Sequence, residues 1–531
     1  MTRRKLKWQK TLGLNGTVYD IKNVNLDEVR IRNGRSEGPL MIGDKILCYL
    51  KGSLSVVNIY DIMQSNYLPR FKVGKNRWIG KTKILAKIRN SNTDLATLMF
   101  RELADLEDIV GQDVFLMPEP EMLDFTSKQA KGRIILLSKN LRIGIVIPTD
   151  LKELQELSAV LQNYLGRASL LVGWNFKNFL SYILAKTGKP FNLSVNYFDL
   201  KVIESFLGFD LPVPQGYSEA IFRLKKVAKD NNWNKLKNLY KCIYKPLITD
   251  VVPKIETLGL VHRGKKSHLH PYYEIEGQAN GRMKCSKCFQ RSFNPHSMTD
   301  EDKINLRPHS FDEFNFLYFD YRYMEVSMLE WLSKDPLLDK ILRSGKDVYE
   351  TIWEVITGTK GKREKAKKFF LPTVFGQGVS ALAEVLEVSQ KTAQIVVDRV
   401  YNKFSVAMDW VSSCQPDEEG YCQDYFGRRR KFEDKFYKIR NFIIQAPAST
   451  VCLHKLVQLH QAIQGMGQIV FHVHDGYMII VRKEQTDQVA DIAIEVLEGS
   501  NDLYPGLRLR TSAYVGISLD DLKIKEKYAE N

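Results

Sequence analysis

Two aspartates far apart in the chain each stand at the end of a β-type run. Asp320 closes Phe316-Leu317-Tyr318-Phe319, and Asp475 lies at the tip of an alternating apolar stretch over residues 469–481. Carboxylates carried by neighbouring strands can hold two divalent cations about 3.5–4 Å apart, the arrangement that supports in-line phosphoryl and nucleotidyl transfer. Between them runs a basic segment, 362–376, in which Arg363, Lys367, Leu371 and Phe375 recur every fourth residue. On a helix these form one slowly drifting stripe, with two cations followed by an apolar and an aromatic residue. The cations suit phosphates and the aromatic suits a base.

The elements that must position these groups follow from periodicity. After Asp320, Met324, Met328, Trp331 and Leu332 recur at helical spacing, so the aspartate stands where a strand hands over to a helix, at a strand end where ligands are usually bound. Glu325 falls in the first turns of that helix and can reach the same cleft. Asp475-Gly476 between two apolar runs predicts a β-hairpin, because glycine tolerates positive φ.

The chain of 531 residues exceeds one hydrophobic core, and its 44% apolar content is that of globular protein. A formal charge of +16 fits a polyanionic partner, since each phosphate neutralised by Lys or Arg releases counterions. Seven cysteines, an odd number without a secretory segment, predict reduced thiols and a cytoplasmic location. No run reaches the roughly 18–20 apolar residues of a membrane span. The basic start, Met1-Thr2-Arg3-Arg4-Lys5, lacks the length and serines of a transit peptide.

Residues 17–148 read mostly as short strands. A helix over 151–165, a strand at 170–174 and two further helices through Phe206 complete an α/β amino-terminal part. A basic helical stretch over 219–260 and a polar link at 263–268 precede the region that carries the motifs.

Taken together, these elements resemble the family A DNA polymerases, the class of bacterial DNA polymerase I and related phage replicases. Asp320-Tyr321-Arg322-Tyr323-Met324-Glu325-Val326-Ser327 is similar to the family's motif A, Asp-Tyr-Ser-Gln-Ile-Glu-Leu-Arg. Arg363, Lys367, Leu371, Phe375 and Gly376 match motif B, and Val473-His474-Asp475-Gly476 resembles motif C, Val-His-Asp-Glu. Asn280-Gly281-Arg282, Gly427-Arg428-Arg429-Arg430 and Gln445-Ala446-Pro447-Ala448-Ser449 match three more motifs, and all six occur in family order.

The resemblance implies a multidomain α/β and α+β chain. Residues 1–212 would form an RNase H-like, 3′–5′ exonuclease-type domain, 213–278 a reduced thumb, and 279–531 the palm and fingers of a right-hand polymerase. It implies two Mg2+ ions, replaceable by Mn2+, on Asp320, Asp475 and the backbone of Tyr321, while a primer 3′-hydroxyl attacks a dNTP. Arg363 and Lys367 would bind the triphosphate, and Glu325, Leu371, Phe375 and Tyr321 would surround the nucleotide. Glu325 would act as a gate against a 2′-hydroxyl. Arg282, His474, Gln445, Ser449 and Arg429 would contact primer-template DNA.

Three positions depart from the pattern. Gly476 replaces the second acid of motif C, Leu371 replaces the aromatic near the nucleotide, and Pro372 lies inside the motif B helix, where it deletes an amide donor. In the exonuclease-like part, Asp20-Ile21-Lys22 stands where Asp-x-Glu is expected, Phe179 follows Asn175 where an aspartate belongs, and Tyr217 is followed by Ile221 in place of Tyr-x3-Asp. A lysine and two apolar residues cannot bind metal, so this part is expected to be vestigial and without exonuclease activity.

Small size and unusual motifs suggest a phage, viral or plasmid replicase, and the short stretch before Gln278 suggests a processivity or replisome protein as partner. Two other readings of the chain are an RNA-synthesising or reverse-transcribing polymerase on the same palm, and a catalytically silent nucleic-acid-binding subunit. Cys285-Ser286-Lys287-Cys288 could supply half a zinc site with His268, His270 or His296, or be two ordinary thiols in a loop.

Overall fold

The structure is a computed structural model that describes residues 110–525 with short breaks, together with short strand segments between residues 11 and 79. Asp20-Ile21-Lys22, the basic start and the link at 264–267 lie outside the described residues. The chain divides into two compact units, Met1–Leu200 with Val213–Leu224, and Lys201–Pro212 with Lys225–Asn531. No helix among the described residues is long and apolar enough to cross a membrane.

In the first unit β1 (Asp113–Glu119), β2 (Arg133–Leu137) and β3 (Arg142–Val146) form an antiparallel meander, and β4 (Leu170–Gly173) and β5 (Tyr197–Asp199) continue it in parallel on the other side of β1. The resulting order is β3-β2-β1-β4-β5. Before β4 comes α1 (Leu151–Gly166), the helix that the leucine spacing predicts; Asp150 caps its first amides, and Leu154, Leu157, Leu161 and Leu165 are buried along one face.

After β4 the chain turns through Trp174 and Asn175 into α2 (Lys177–Thr187). Asn175 has a left-handed φ of 52°. The Asp199 carboxylate holds this turn by accepting from the amides of Asn175 at 3.3 Å and Phe176 at 3.1 Å, and from the Tyr197 hydroxyl at 2.9 Å. Phe179 lies fully buried, with its ring 5.2 Å from Phe176 and 5.6 Å from Phe191.

The second unit is organised by an antiparallel sheet of β6 (Phe314–Arg322), β7 (Gly467–Val473), β8 (Gly476–Arg482), β9 (Arg510–Gly516) and β10 (Lys523–Ile524), in the order β7-β8-β6-β9-β10. Around it are α3 (Met324–Ser333), α4 (Val348–Thr357), α5 (Arg363–Val374), α6 (Gln390–Lys403), α7 (Phe436–Ala462) and α8 (Thr486–Glu498). Helix α8 packs on β6, β8 and β9, and α3 packs on α7. Ahead of the sheet, helices Trp233–Leu239 and Val252–Thr257 are joined by two π-helical segments, Tyr240–Tyr244 and Leu247–Val251.

Arg428 anchors the interior of this unit. Its guanidinium, fully buried, meets Glu276 at 2.6 Å and Asp424 at 3.0 Å, and donates to the Ala446 carbonyl, the Thr450 hydroxyl and the Tyr244 hydroxyl. Every donor so used offsets the desolvation of a buried charge. The network also explains Gly281, which has a φ of 76° and where a Cβ would fall 2.2 Å from the guanidinium. Arg428→Met leaves the buried Asp424 without its cation and Glu276 with Arg430 alone, 3.8 Å away, and is expected to cost about 3–5 kcal/mol; adding Glu276→Gln and Asp424→Asn should recover much of it. The urea unfolding midpoints of the single and triple variants measure both, and an unchanged midpoint for Arg428→Met contradicts the anchoring role.

Candidate active site

Strand β6 lies between β8 and β9, and its register sets Asp320 opposite Gly476 on one side and Ser512 on the other. Asp320 precedes the strand's end by two residues, so the strand runs on past the apolar run that predicts it. Asp475 follows His474 in the two-residue turn that joins Val473 to Gly476, so both carboxylates emerge at the same edge of the sheet. The turn differs from the predicted Asp-Gly hairpin. The positive φ, 55°, falls on His474, whereas Gly476 is already the first residue of β8.

The reason for glycine at 476 is space. A Cβ there would sit 2.3 Å from the Tyr318 hydroxyl and 2.8 Å from its ring carbons. That hydroxyl donates to Oδ1 of Asp320 at 3.3 Å. Successive residues of a strand alternate faces, so Tyr318 and Asp320 share one. Tyr318 was not singled out by its sequence context, although the two-residue spacing from Asp320 was the available signal.

Burial and the neighbouring Asp475 push the carboxyl of Asp320 up to about 7, against the pull of the Tyr318 hydrogen bond and Lys367. Asp475 is also raised by burial, opposed by Arg282 and Lys367. Glu325, at the start of α3, is raised by burial and by Asp475, and its Oε1 lies 4.0 Å from Nη2 of Arg282. Asp320, Asp475, Glu325, Arg282 and Lys367 thus feel one another's charge. Two half-buried carboxyls that resist ionisation beside one another are a donor set that a divalent cation relieves, because the cation replaces protons and mutual repulsion with attraction. The residues present fit hard cations, with the backbone of Tyr321 beside them; the Tyr321 side chain is turned into the core, where its hydroxyl donates to the Leu497 carbonyl at 3.0 Å.

Helix α5 presents Arg363 and Lys367 on an exposed turn, while Leu371 is buried and Phe375 half-buried at the C-terminal end. Pro372 does not end the helix, which continues to Val374; the carbonyl deprived of its donor belongs to exposed Lys368 in the last turns. The Nε of Arg363 donates to Asp347 at 3.0 Å and its Nη1 to Glu364 at 2.9 Å. Asp347 caps α4 through the Glu350 amide and also accepts from the Tyr323 hydroxyl at 2.9 Å. One carboxylate therefore ties motif A to motif B. Tyr323 itself has a φ of 58° and packs its ring 5.5 Å from Tyr349. Asp347 and Tyr349 were not anticipated from sequence, since neither stands in a recognisable motif.

Asn280 donates to Gln445 at 3.3 Å and accepts from the Arg282 amide at 3.3 Å, which brings Arg282 and Gln445 together. His474 stacks on His296 with ring centroids 4.8 Å apart, and its buried Nδ1 has no hydrogen-bond partner among the described residues. The other two expected DNA contacts differ. Ser449 is buried within α7, and Arg429 lies over the Tyr421 ring with Asp417 at 3.6 Å and Asp230 at 3.8 Å. Cys285 is a buried thiol directed at the Phe293 carbonyl, and the Nε2 of His296 faces the His472 carbonyl at 3.3 Å. Among the described residues no three His, Cys, Asp or Glu side chains gather as a metal site, and nothing supports zinc at Cys285-Cys288.

Residues 211–521 match the model of DNA polymerase family A. The chain is 23% identical over 397 residues to the thermostable DNA polymerase I of Thermus aquaticus, covering 68% of this chain and 45% of that one. It is 23% identical over 327 residues to DNA polymerase I of Pseudomonas aeruginosa, covering 57% and 34%. It thus spans less than half the length of these relatives. A solved structure, the POL domain of Pol1 from M. smegmatis in complex with DNA primer-template and dNTP, superposes with a TM-score of 0.59 at 14% identity over 79% of this chain and 98% of that one, a likeness of fold.

The raised carboxyl of Asp320 has a consequence for stability. Its folded value of about 7 exceeds the ordinary value of 3.8, so the native state holds a proton that the unfolded chain gives up. Stability of the metal-free protein therefore falls as pH rises from about 4 to about 7 on this account. Asp320→Asn removes the ionisation and should raise the melting temperature in a chelator by an increment that grows through that window and levels off above it. An increment independent of pH would contradict the burial argument.

Proposed function

The chain belongs to DNA polymerase family A, and from that premise we propose that it is a template-directed DNA polymerase, adding deoxynucleotides to a primer 3′ end in DNA replication. The observation that carries the reading is the pairing of Asp320 and Asp475 at one edge of the central sheet, both held above their ordinary range by burial and both feeling the charge of Lys367. A subunit that only bound nucleic acid would have no use for carboxylates whose burial destabilises it.

Asp320, Asp475 and the Tyr321 backbone would hold two Mg2+ ions, which when bound activate the primer hydroxyl and stabilise charge on the phosphate under attack. Lys367 and Arg363 bind the triphosphate, Arg363 by exchanging its Asp347 and Glu364 carboxylates for phosphate oxygens. Their positive charge neutralises what develops on the departing pyrophosphate. Glu325, fixed beside Arg282, crowds the 2′ position, which favours deoxyribose over ribose and DNA synthesis over the RNA-synthesising alternative. Leu371 and Phe375 supply the apolar wall against the base. Arg282, Gln445 and His474 face the primer-template; the unpartnered Nδ1 of His474 suits a polar nucleic-acid atom.

The sheet order of the first unit supports a vestigial exonuclease-type fold. Phe179, which stands where the family's aspartate is expected, is packed between Phe176 and Phe191. The short helical stretch before Gln278 supports a reduced thumb, fewer backbone contacts, and a partner protein that lengthens the hold on DNA by supplying contacts at high effective concentration.

Primer extension tests the central reading. Asp320→Ala and Asp475→Ala should abolish incorporation while primer-template binding survives, Glu325→Ala should raise ribonucleotide use, and labelled primer should not shorten when nucleotides are withheld. Incorporation at wild-type rate by either aspartate variant sinks the assignment. Single-hit extension against a trap should yield only a few nucleotides at physiological salt, and products of hundreds of nucleotides from this chain alone would refute the need for a partner.

A further inference from the structure

The ring of Tyr318 fills the space that opens because residue 476 has no side chain. Across the β6–β8 ladder Asp320 faces Gly476 and Tyr318 faces Met478, so Tyr318 and Gly476 are diagonal neighbours on one face. The Tyr514 ring backs Tyr318 from β9 with centroids 6.0 Å apart. Held on both sides, the phenol has little freedom, and its hydroxyl is left directed at Oδ1 of Asp320. The motif C that this chain resembles carries an acid where Gly476 stands, and the first carbon of any side chain there would fall against the phenol, 2.3 Å from its hydroxyl.

We propose that Tyr318 is a positioning residue for the candidate metal centre, its hydroxyl standing in for the carboxylate that Gly476 lacks by orienting Asp320 through one oxygen and leaving the other for a cation. The inference rests on the polymerase reading of this site. It adds that the tyrosine and the glycine are one device. A side chain at 476 is incompatible with tyrosine at 318, and loss of the hydroxyl frees the Asp320 carboxylate to rotate. Because a hydroxyl replaces an acid, the centre carries one negative charge fewer than the motif would give it, and its hold on cations depends more heavily on how Asp320 is oriented.

Two measurements test this. Tyr318→Phe keeps the ring and its packing, so the protein should fold normally. Its affinity for Mn2+, titrated calorimetrically with primer-template and without nucleotide, should fall by about three- to tenfold, the loss of roughly one hydrogen bond. The Mg2+ concentration for half-maximal extension should rise to match. Separately, Gly476→Ala should lower the melting temperature in chelator, and Tyr318→Ala combined with it should cost less than the two single changes added together, because the smaller side chain removes the clash. Unchanged Mn2+ affinity in Tyr318→Phe, or strict additivity of the two alanine variants, overturns the proposal. Asp320→Ala, assayed in parallel, separates the two readings: if it still extends primers, the polymerase assignment fails, and if it is dead while Tyr318→Phe binds Mn2+ as the parent does, only the role of Tyr318 fails.

Discussion

The antiparallel register that sets Asp320 against Gly476 places two carboxyls at one edge of a sheet, where burial raises both. Such an arrangement costs stability in the absence of cations, because each ionised carboxylate is desolvated and repels the other. The rest of the second unit can be understood as what keeps that unfavourable pair in position. β6 is held by neighbours on both sides, α8 covers three strands of the sheet, and the turn carrying Asp475 is tight enough to force His474 to a positive φ. Left-handed backbone at a residue other than glycine costs on the order of 1–3 kcal/mol and persists only where the surroundings over-determine it.

Support for the charged residues comes from carboxylates that lie outside the motifs. Asp347 receives the Tyr323 hydroxyl, the Arg363 guanidinium and the Glu350 amide of α4, so the strand carrying Asp320 and the helix carrying Lys367 share one anchor. Glu276 and Asp424 do the same for Arg428, whose guanidinium lies against Gly281 next to Arg282. In each case a motif residue is positioned by a partner outside the motifs, and a mutation in the partner would be felt at the site without touching substrate.

The first unit follows a different logic. Asp199 holds the turn before α2 and Phe179 packs against the rings of Phe176 and Phe191, so both side chains serve the fold. The fold there is maintained by apolar burial in β1 to β4, α1 and α2, and that burial does not require any chemistry at the sheet's edge.

Local patterns were sufficient for what depends on neighbours in sequence. The leucine spacing of 151–165 gives α1, the run into Asp320 followed by helical spacing gives β6 and α3, and alternation around Asp475 gives the β7–β8 hairpin, because periods of 3.6 and 2 are properties of the backbone itself. Ordered motifs likewise identified the family. What sequence left open was decided by contacts between elements that are not neighbours in the chain. The hairpin's positive φ went to His474 and not to Gly476, Gly476 was required by the Tyr318 ring, Ser449 turned into the core of α7, and Asp347 became the link between motifs A and B. None of these has a periodic signature. Each follows from which side chain reaches which space once the strands and helices are packed together, and that packing is a property of the folded chain alone.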